Sequence, residues 1–328
     1  MIKKRYKYII AFIIFEIIFI PLFAIGLIYY GPFMQVKEML VTTAMTTMTQ
    51  QYIAKWFLSD EEINKILEKN KPNYNLGEQN LEAINIDYND NLNGIELMEI
   101  SASTFKGKLL IIEDPSRVEL VMGEKILQNG NTVSEIVKQN DAIAGINAGG
   151  YVDLGTKDEY MIPSGLVIEN GNIIAGDTYS NYAVTGLDKH NKLIVSNNMN
   201  YNTLINKMVK DAVSFGPVII QNGVPAISSQ SDGGMGIQPR TAIAQRKDGA
   251  ILFLVIDGRT LNSLGATLKN VQDVLLEHGA YNAFNLDGGS TTTMVYNNEV
   301  INYPSDFGKE NLVPCAFIVK KSPTNEVK

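Results

Sequence analysis

Asn285-Leu286-Asp287-Gly288-Gly289-Ser290-Thr291-Thr292-Thr293 carries an apolar run, Tyr281–Leu286, into an acid, two glycines and four hydroxyls. Glycine lets a backbone approach a ligand closely and adopt positive φ, and successive N–H groups in such turns form anion-binding nests. The stretch therefore sets one carboxylate, Asp287, beside the backbone donors of Gly288 and Gly289 and the hydroxyls of Ser290 and Thr291. Asp-Gly-Gly is also ordinary turn chemistry, so the reading depends on what surrounds it.

Just upstream, Leu268, Val271, Val274 and Leu275 share one face of a helix over Leu268–His278, and Gly279 stops it. His278 then reads as a C-terminal residue favoured by the helix dipole. Further back, short apolar runs alternate with turns: Leu109–Ile112, Val118–Val121, Ala142–Ile146, Gly165–Glu169, Ala183–Leu187, Leu193–Val195, Val218–Gln221, Arg240–Gln245 and Ile251–Asp257. Thr293–Tyr296 and Cys315–Val319 follow the central stretch. Strands dominate and helices are few, which predicts an α+β domain over residues 95–321, strand-rich around a mixed β-sheet.

The N-terminus is different in kind. Ile9–Tyr30 holds only Glu16, Pro21 and Gly26 outside the hydrophobic set, and a helix of that length spans about 33 Å, enough to cross a bilayer. Lys3, Lys4, Arg5 and Lys7 precede it, which places the N-terminus in the cytoplasm. The apolar run is longer than a signal-peptide core, and no small-residue cleavage pattern follows. Residues 1–30 thus read as a basic tail and membrane anchor. Residues 31–94 read as a helical stalk, with a stripe at Val41, Met45, Met48, Tyr52 and Trp56, followed by an Asn/Gly/Pro-rich linker from 72 to 94. The stripe would pack on a domain or on a second copy. Ser59-Asp60-Glu61-Glu62 is a capping box, and 322–328 is a tail.

Composition excludes several functions. A net charge of −7 over 328 residues offers no basic footprint for nucleic acid. Cys315 is the only cysteine, which excludes an internal disulfide and a Cys-based metal cluster, and two histidines, His190 and His278, are too few for a His-rich zinc site. The acidic strand ends leave Ca²⁺ or Mg²⁺ open as oxygen-ligated cofactors, although no loop carries a recognised ligand spacing.

Four strands end in glycine plus a polar residue: at Asn147, at Ser214-Phe215-Gly216-Pro217, at Asp257-Gly258-Arg259 and at Asp287-Gly288-Gly289-Ser290. Pro239-Arg240-Thr241 opens another. Together with Gly145–Tyr151, Pro163–Gly165, Gly216–Gly223 and Gly265–Thr267, these stretches resemble the phosphodiester glycosidase family over about residues 95–320. The resemblance implies hydrolysis of a sugar 1-phosphodiester in cell-wall or exopolysaccharide glycans. Such a bond breaks through a transition state with oxocarbenium character, and its phosphate leaves more readily than an alcohol. Charge stabilisation then matters more than general-acid help. Arg240 suits the phosphate, because guanidinium binds its oxygens bidentately, with Asn147, Gly288, Gly289, Ser290 and Thr291 completing the binding set. Asp287 is the first candidate to activate water or attack the anomeric carbon, and Asp257 the second. Asp257 and Arg259 equally fit a turn with a charged tip. A non-catalytic module for anionic polysaccharide is the rival reading.

The anchor reading predicts that protease added to intact protoplasts degrades residues 31–328. Full protection would reverse the orientation.

Overall fold

A computed structural model describes residues 2–47, 50–88, 94–125, 130–152 and 161–322. They form two compact units, Met1–Asn70 with Gly234–Gly236, and Lys71–Gly233 with Ile237–Lys328.

The first unit contains helices Ile2–Tyr30, Met34–Met45, Tyr52–Lys55 and Asp60–Asn70. Within the first, Tyr6–Tyr30 is long and apolar enough to cross a membrane, a property that signal sequences share. The unit's core gathers Tyr29, Val41, Ala44, Ala54, Leu58, Ile63 and Ile66. Ser59 and Glu62 form the expected reciprocal cap, with Glu62 N–H donating to Ser59 Oγ at 3.3 Å and Ser59 N–H to Glu62 Oε2 at 3.1 Å. The continuous stripe does not survive as one helix. Val41 is buried, but Tyr52 and Trp56 are exposed, their rings meeting at a tilt with centroids 4.9 Å apart. The threonines explain the break. Thr42, Thr43, Thr46 and Thr47 donate their hydroxyls back to carbonyls three or four residues earlier, a habit that weakens and bends helices. Met48 and Thr49 lie outside the described residues.

The second unit is α+β and strand-rich, as the sequence implies. Its strands differ from expectation in arrangement. Instead of one mixed sheet there are a seven-stranded sheet, two five-stranded sheets and a two-stranded one, and every strand pair among the described residues is antiparallel. Tight connections such as Asn170-Gly171 and Asn222-Gly223, with the asparagines at φ 50° and 57°, join neighbours directly, whereas parallel pairs need long crossovers.

The seven-stranded sheet runs Ile95–Ser101, Lys106–Ile112, Ile251–Ile256, Arg240–Arg246, Ala280–Asn285, Val218–Gln221, Val224–Pro225. Ala142–Asn147 is the middle strand of a second sheet and Val209–Ser214 of the third. One core joins all three through Phe253 and Phe284, Ile146 and Phe317, and Leu187 and Val213. Lys210 and Asp211 interrupt the apolar pattern of Val209–Ser214, so the sequence marks only its end at Ser214. Asp211 is nevertheless buried, pairing with Lys210 at 3.2 Å and accepting from Asn170 N–H at 3.0 Å.

The stretch expected to be a linker is instead a strap bound to the second unit, which begins at Lys71 rather than near residue 95. Asn73 N–H donates to Ala226 C=O at 2.7 Å. Gln221 and Asn222 side chains donate to Gly77 and Glu78 carbonyls at 2.8 Å. The Gln79 amide bridges Leu193 C=O and Val195 N–H at 2.8 and 3.1 Å, and Ile84 is buried. Polar composition hid these bonds, because their partners lie more than a hundred residues away. A 90–328 fragment lacks them, whereas a 71–328 fragment keeps them. The shorter one is expected to unfold roughly 5 °C or more below the longer in thermal melts, from the loss of a few net hydrogen bonds of about 1 kcal/mol each. Equal midpoints would return the strap to a linker.

Candidate active site

Arg240–Arg246 lies between Ile251–Ile256 and Ala280–Asn285, antiparallel to both, with Arg240 opposite Ile256 and Ala242 opposite Asn285. The start of the middle strand therefore meets the ends of its neighbours, and Arg240, Asp257 and Asp287 gather at one sheet end. Leu286 N–H donates to Thr241 C=O at 2.9 Å, and Gly289 N–H to Pro239 C=O at 2.9 Å. These bonds press the glycine turn against the Pro239-Arg240 backbone. A Cβ on Gly288 would lie 2.8 Å from the Pro239 oxygen, and Gly289 has φ +69°, so both glycines are required.

The second sheet reaches the same point through Asn147, which is fully buried. Its Oδ1 accepts from Thr241 Oγ1 at 2.8 Å and from Thr293 N–H at 3.1 Å. Its Nδ2 donates to the Asp287 carbonyl at 2.6 Å and reaches Thr291 Oγ1 at 3.5 Å. Asp287 N–H in turn donates to Ala148 C=O at 3.0 Å.

Thr291 Oγ1 sits 2.9 Å from Asp287 Oδ2 and 2.8 Å from Gly288 C=O. A hydroxyl has one proton, so it serves the carboxylate when Asp287 is ionised and is free for the carbonyl when Asp287 carries its own. Burial pushes the Asp287 carboxyl up to about 7, with the Thr291 hydroxyl and the Gly288 N–H pulling the other way. The wall behind it is tight. A Cβ on Gly150 would stand 3.9 Å from Asp287 Cγ and 3.2 Å from Phe215 Cε2. Gly149 N–H donates to the buried Cys315 Sγ at 3.4 Å, and burial pushes that thiol up to about 12.

Two arginines lie near the glycine turn. Arg240 is only 3% exposed, and its Nε donates to Ala266 C=O at 3.0 Å. Burial brings it down to about 10, opposed by Asp232 and assisted by Arg259. Arg259 itself was legible only as a turn tip. Its backbone takes φ 59°, uncommon for a residue with a side chain, and Arg259 Nη2 lies 3.3 Å from where a Gly289 Cβ would be. Partial burial lowers its pKa. The available signal was a charged residue two positions beyond a strand end and next to glycine.

Of the expected residues, Asn147, Asp287, Gly288, Gly289 and Thr291 form one bonded cluster, with Arg240 adjoining it through the Pro239-Arg240 backbone and Ser290 on its partly exposed side. Asp257 is engaged differently. Its Oδ1 accepts from Asn302 Nδ2 at 3.0 Å and Tyr303 N–H at 2.9 Å. Asn302 also holds Thr292 C=O and Met294 N–H, so Asp257 braces the loop that follows Asp287. Among the described residues no three His, Cys, Asp or Glu side chains converge as a metal site. The cluster supplies a carboxyl able to exchange its proton near neutrality, next to a glycine turn covered by a guanidinium.

The sequence model of phosphodiester glycosidases matches residues 140–320. The SPbeta prophage-derived uncharacterized protein YomE of Bacillus subtilis (strain 168) is 28% identical over 180 residues, which is 54% of this chain and 28% of that protein. The N-acetylglucosamine-1-phosphodiester alpha-N-acetylglucosaminidase of Bos taurus is 37% identical over 79 residues, or 24% of this chain and 15% of the bovine one. The chain thus spans under a third of the length of either relative. Among solved structures, the zebrafish N-acetylglucosamine-1-phosphodiester alpha-N-acetylglucosaminidase catalytic domain, auto-inhibited by its pro-peptide, superposes with a TM-score of 0.59 at 19% identity, covering 72% of this chain and 86% of that one. A putative exported protein of Burkholderia pseudomallei gives 0.51 at 15% identity, over 66% and 74%. The family match covers more than half of the sequence, and the chain belongs to the phosphodiester glycosidase family.

Proposed function

We propose that this chain hydrolyses a sugar 1-phosphodiester bond of a surface glycan, outside the cytoplasm and anchored by residues 9–30. The observation that carries the reading is the Asp287 carboxyl, raised to about 7, beside the Gly288-Gly289 turn over which Arg259 lies. A phosphate group held at that turn meets the Arg259 guanidinium, and Arg240 behind it adds positive potential. The leaving phosphate needs little protonation. Asp287 therefore acts as carboxylate, either drawing a proton from water or attacking the anomeric carbon. Thr291 donates to Asp287 Oδ2 and fixes the orientation of the carboxylate. Support also comes from the family to which the chain belongs and from relatives named for the same bond type.

The two arginines separate in their expected effects. Arg259→Gln removes an exposed cation and should lower kcat/KM roughly ten- to hundred-fold, the worth of a charged hydrogen bond of about 1.5–3 kcal/mol, without moving the melting midpoint. Arg240→Lys loses the Nε bond to Ala266 and should lower activity and midpoint together. Wild-type kinetics in Arg259→Gln would remove that residue from the site.

For Asp287 the pH dependence has a sign. A carboxylate role makes kcat/KM rise with pH through about 7, and Asp287→Asn should lose that limb together with roughly 10²–10⁴-fold of rate. The folded carboxyl also binds its proton more tightly than the unfolded one, so it costs stability as pH rises from about 4 to about 7. Asp287→Asn should therefore match wild type near pH 4 and exceed it at pH 8, by at most about 4 kcal/mol for a shift from 3.8 to about 7. Kinetics on a panel of sugar 1-phosphodiesters and paired denaturation curves check both. Near wild-type cleavage by Asp287→Asn would sink the assignment.

A further inference from the structure

The second unit contains a cavity of about 600 Å³ lined by Tyr74, Asn75, Ala183, Asn197, Asn198, Phe215, Gly216 and Pro217. That size suits a small-molecule ligand. It adjoins the candidate acid through two contacts already described or closely related to them. A Cβ on Gly150 would meet both the Phe215 ring, at 3.2 Å, and Asp287 Cγ, at 3.9 Å, so the ring and the acid face the same point. Gly216 exchanges hydrogen bonds with Asn285, donating its N–H to the Asn285 carbonyl at 3.1 Å and accepting from Asn285 Nδ2 at 2.8 Å. Asp287 thus has two unlike neighbours, Arg259 over the glycine turn and Phe215, whose ring lines this cavity.

We infer that the cavity is the subsite for the neutral sugar ring, with Tyr74 and Phe215 as its apolar faces and Asn75, Asn197 and Asn198 as its hydrogen-bonding edge. The inference rests on the phosphodiester reading for its placement of phosphate on the arginine flank. No lining residue is charged, which matches a polyol and not an anion. Tyr74 and Phe215 are 52% and 36% exposed, and such rings offer flat apolar surface to a sugar's C–H face. Asn197 is already oriented, since its Oδ1 accepts from Val218 N–H at 2.9 Å, which turns its Nδ2 away from that bond. Asn198 is exposed and brings both a donor and an acceptor. Tyr74 and Asn75 come from the strap, outside the 140–320 match to the family. One wall of the subsite is therefore built from sequence that the shared family pattern does not include.

The test uses the full chain in a detergent without a sugar headgroup. Methyl glycosides of glucose, galactose, mannose and N-acetylglucosamine are screened by saturation-transfer NMR, alongside inhibition of diester cleavage by inorganic phosphate. At least one glycoside is expected to bind, and Tyr74→Ala and Asn198→Ala, both at exposed positions, should each weaken it roughly five-fold or more while leaving phosphate inhibition unchanged. If no glycoside binds the wild type, or binding persists undiminished in both variants, the subsite is overturned even when diesters are cleaved. Glycoside binding that both variants lose, in a protein that cleaves no diester, would uphold the subsite and remove the hydrolase reading.

Discussion

The buried side chain of Asn147 ties together parts of the fold that would otherwise only touch. It ends a strand of one sheet, accepts from Thr241 near the start of a strand in another and from the Thr293 N–H, and donates to the carbonyl of Asp287. Both ends of the amide are used, so the group carries no uncompensated burial cost. An amide is also the one short side chain that can accept and donate in this geometry at every pH. Aspartate would lose the donor, and leucine would strand Thr241 Oγ1, the Thr293 N–H and the Asp287 carbonyl.

Asp287 inherits its chemistry from that fixed backbone. Its main chain is held on both sides, by Ala148 at the N–H and Asn147 at the C=O, and Thr291 Oγ1 holds the carboxyl itself at Oδ2. The result is an acid near neutrality created by position, without a second carboxylate pressed against it. Asp257 keeps its distance and holds Asn302, which fixes the far end of the same loop.

Much of this was legible, because strand ends bearing glycine with a polar residue mark where a backbone must bend close to something. Asn147, Asp287, Gly288, Gly289 and Thr291 all carried that mark. Arg259 carried only half of it, since its approach to Gly289 depends on a left-handed backbone that no side-chain pattern reveals. The strap was illegible for a different reason: its Asn, Gly and Pro content is that of a linker, and the partners that order it, Gln221, Asn222 and Leu193, are remote in sequence. The stalk stripe failed at Tyr52 and Trp56, because periodicity ignored what consecutive threonines do to a helix. The antiparallel sheets follow from short turns such as Asn170-Gly171 and Asn222-Gly223, which join neighbouring strands too directly for parallel pairing.

Cys315 has a practical consequence. The thiolate is the reactive form of cysteine, and this thiol is fully buried and held near 12, so maleimides find almost nothing to attack in the folded protein. The native sequence is already its own silent background for site-directed labelling. A cysteine placed on the strap and another beside Arg259 would stand out as accessible thiols, and a pair of spin labels there would report distances across the active site without the native cysteine having to be removed.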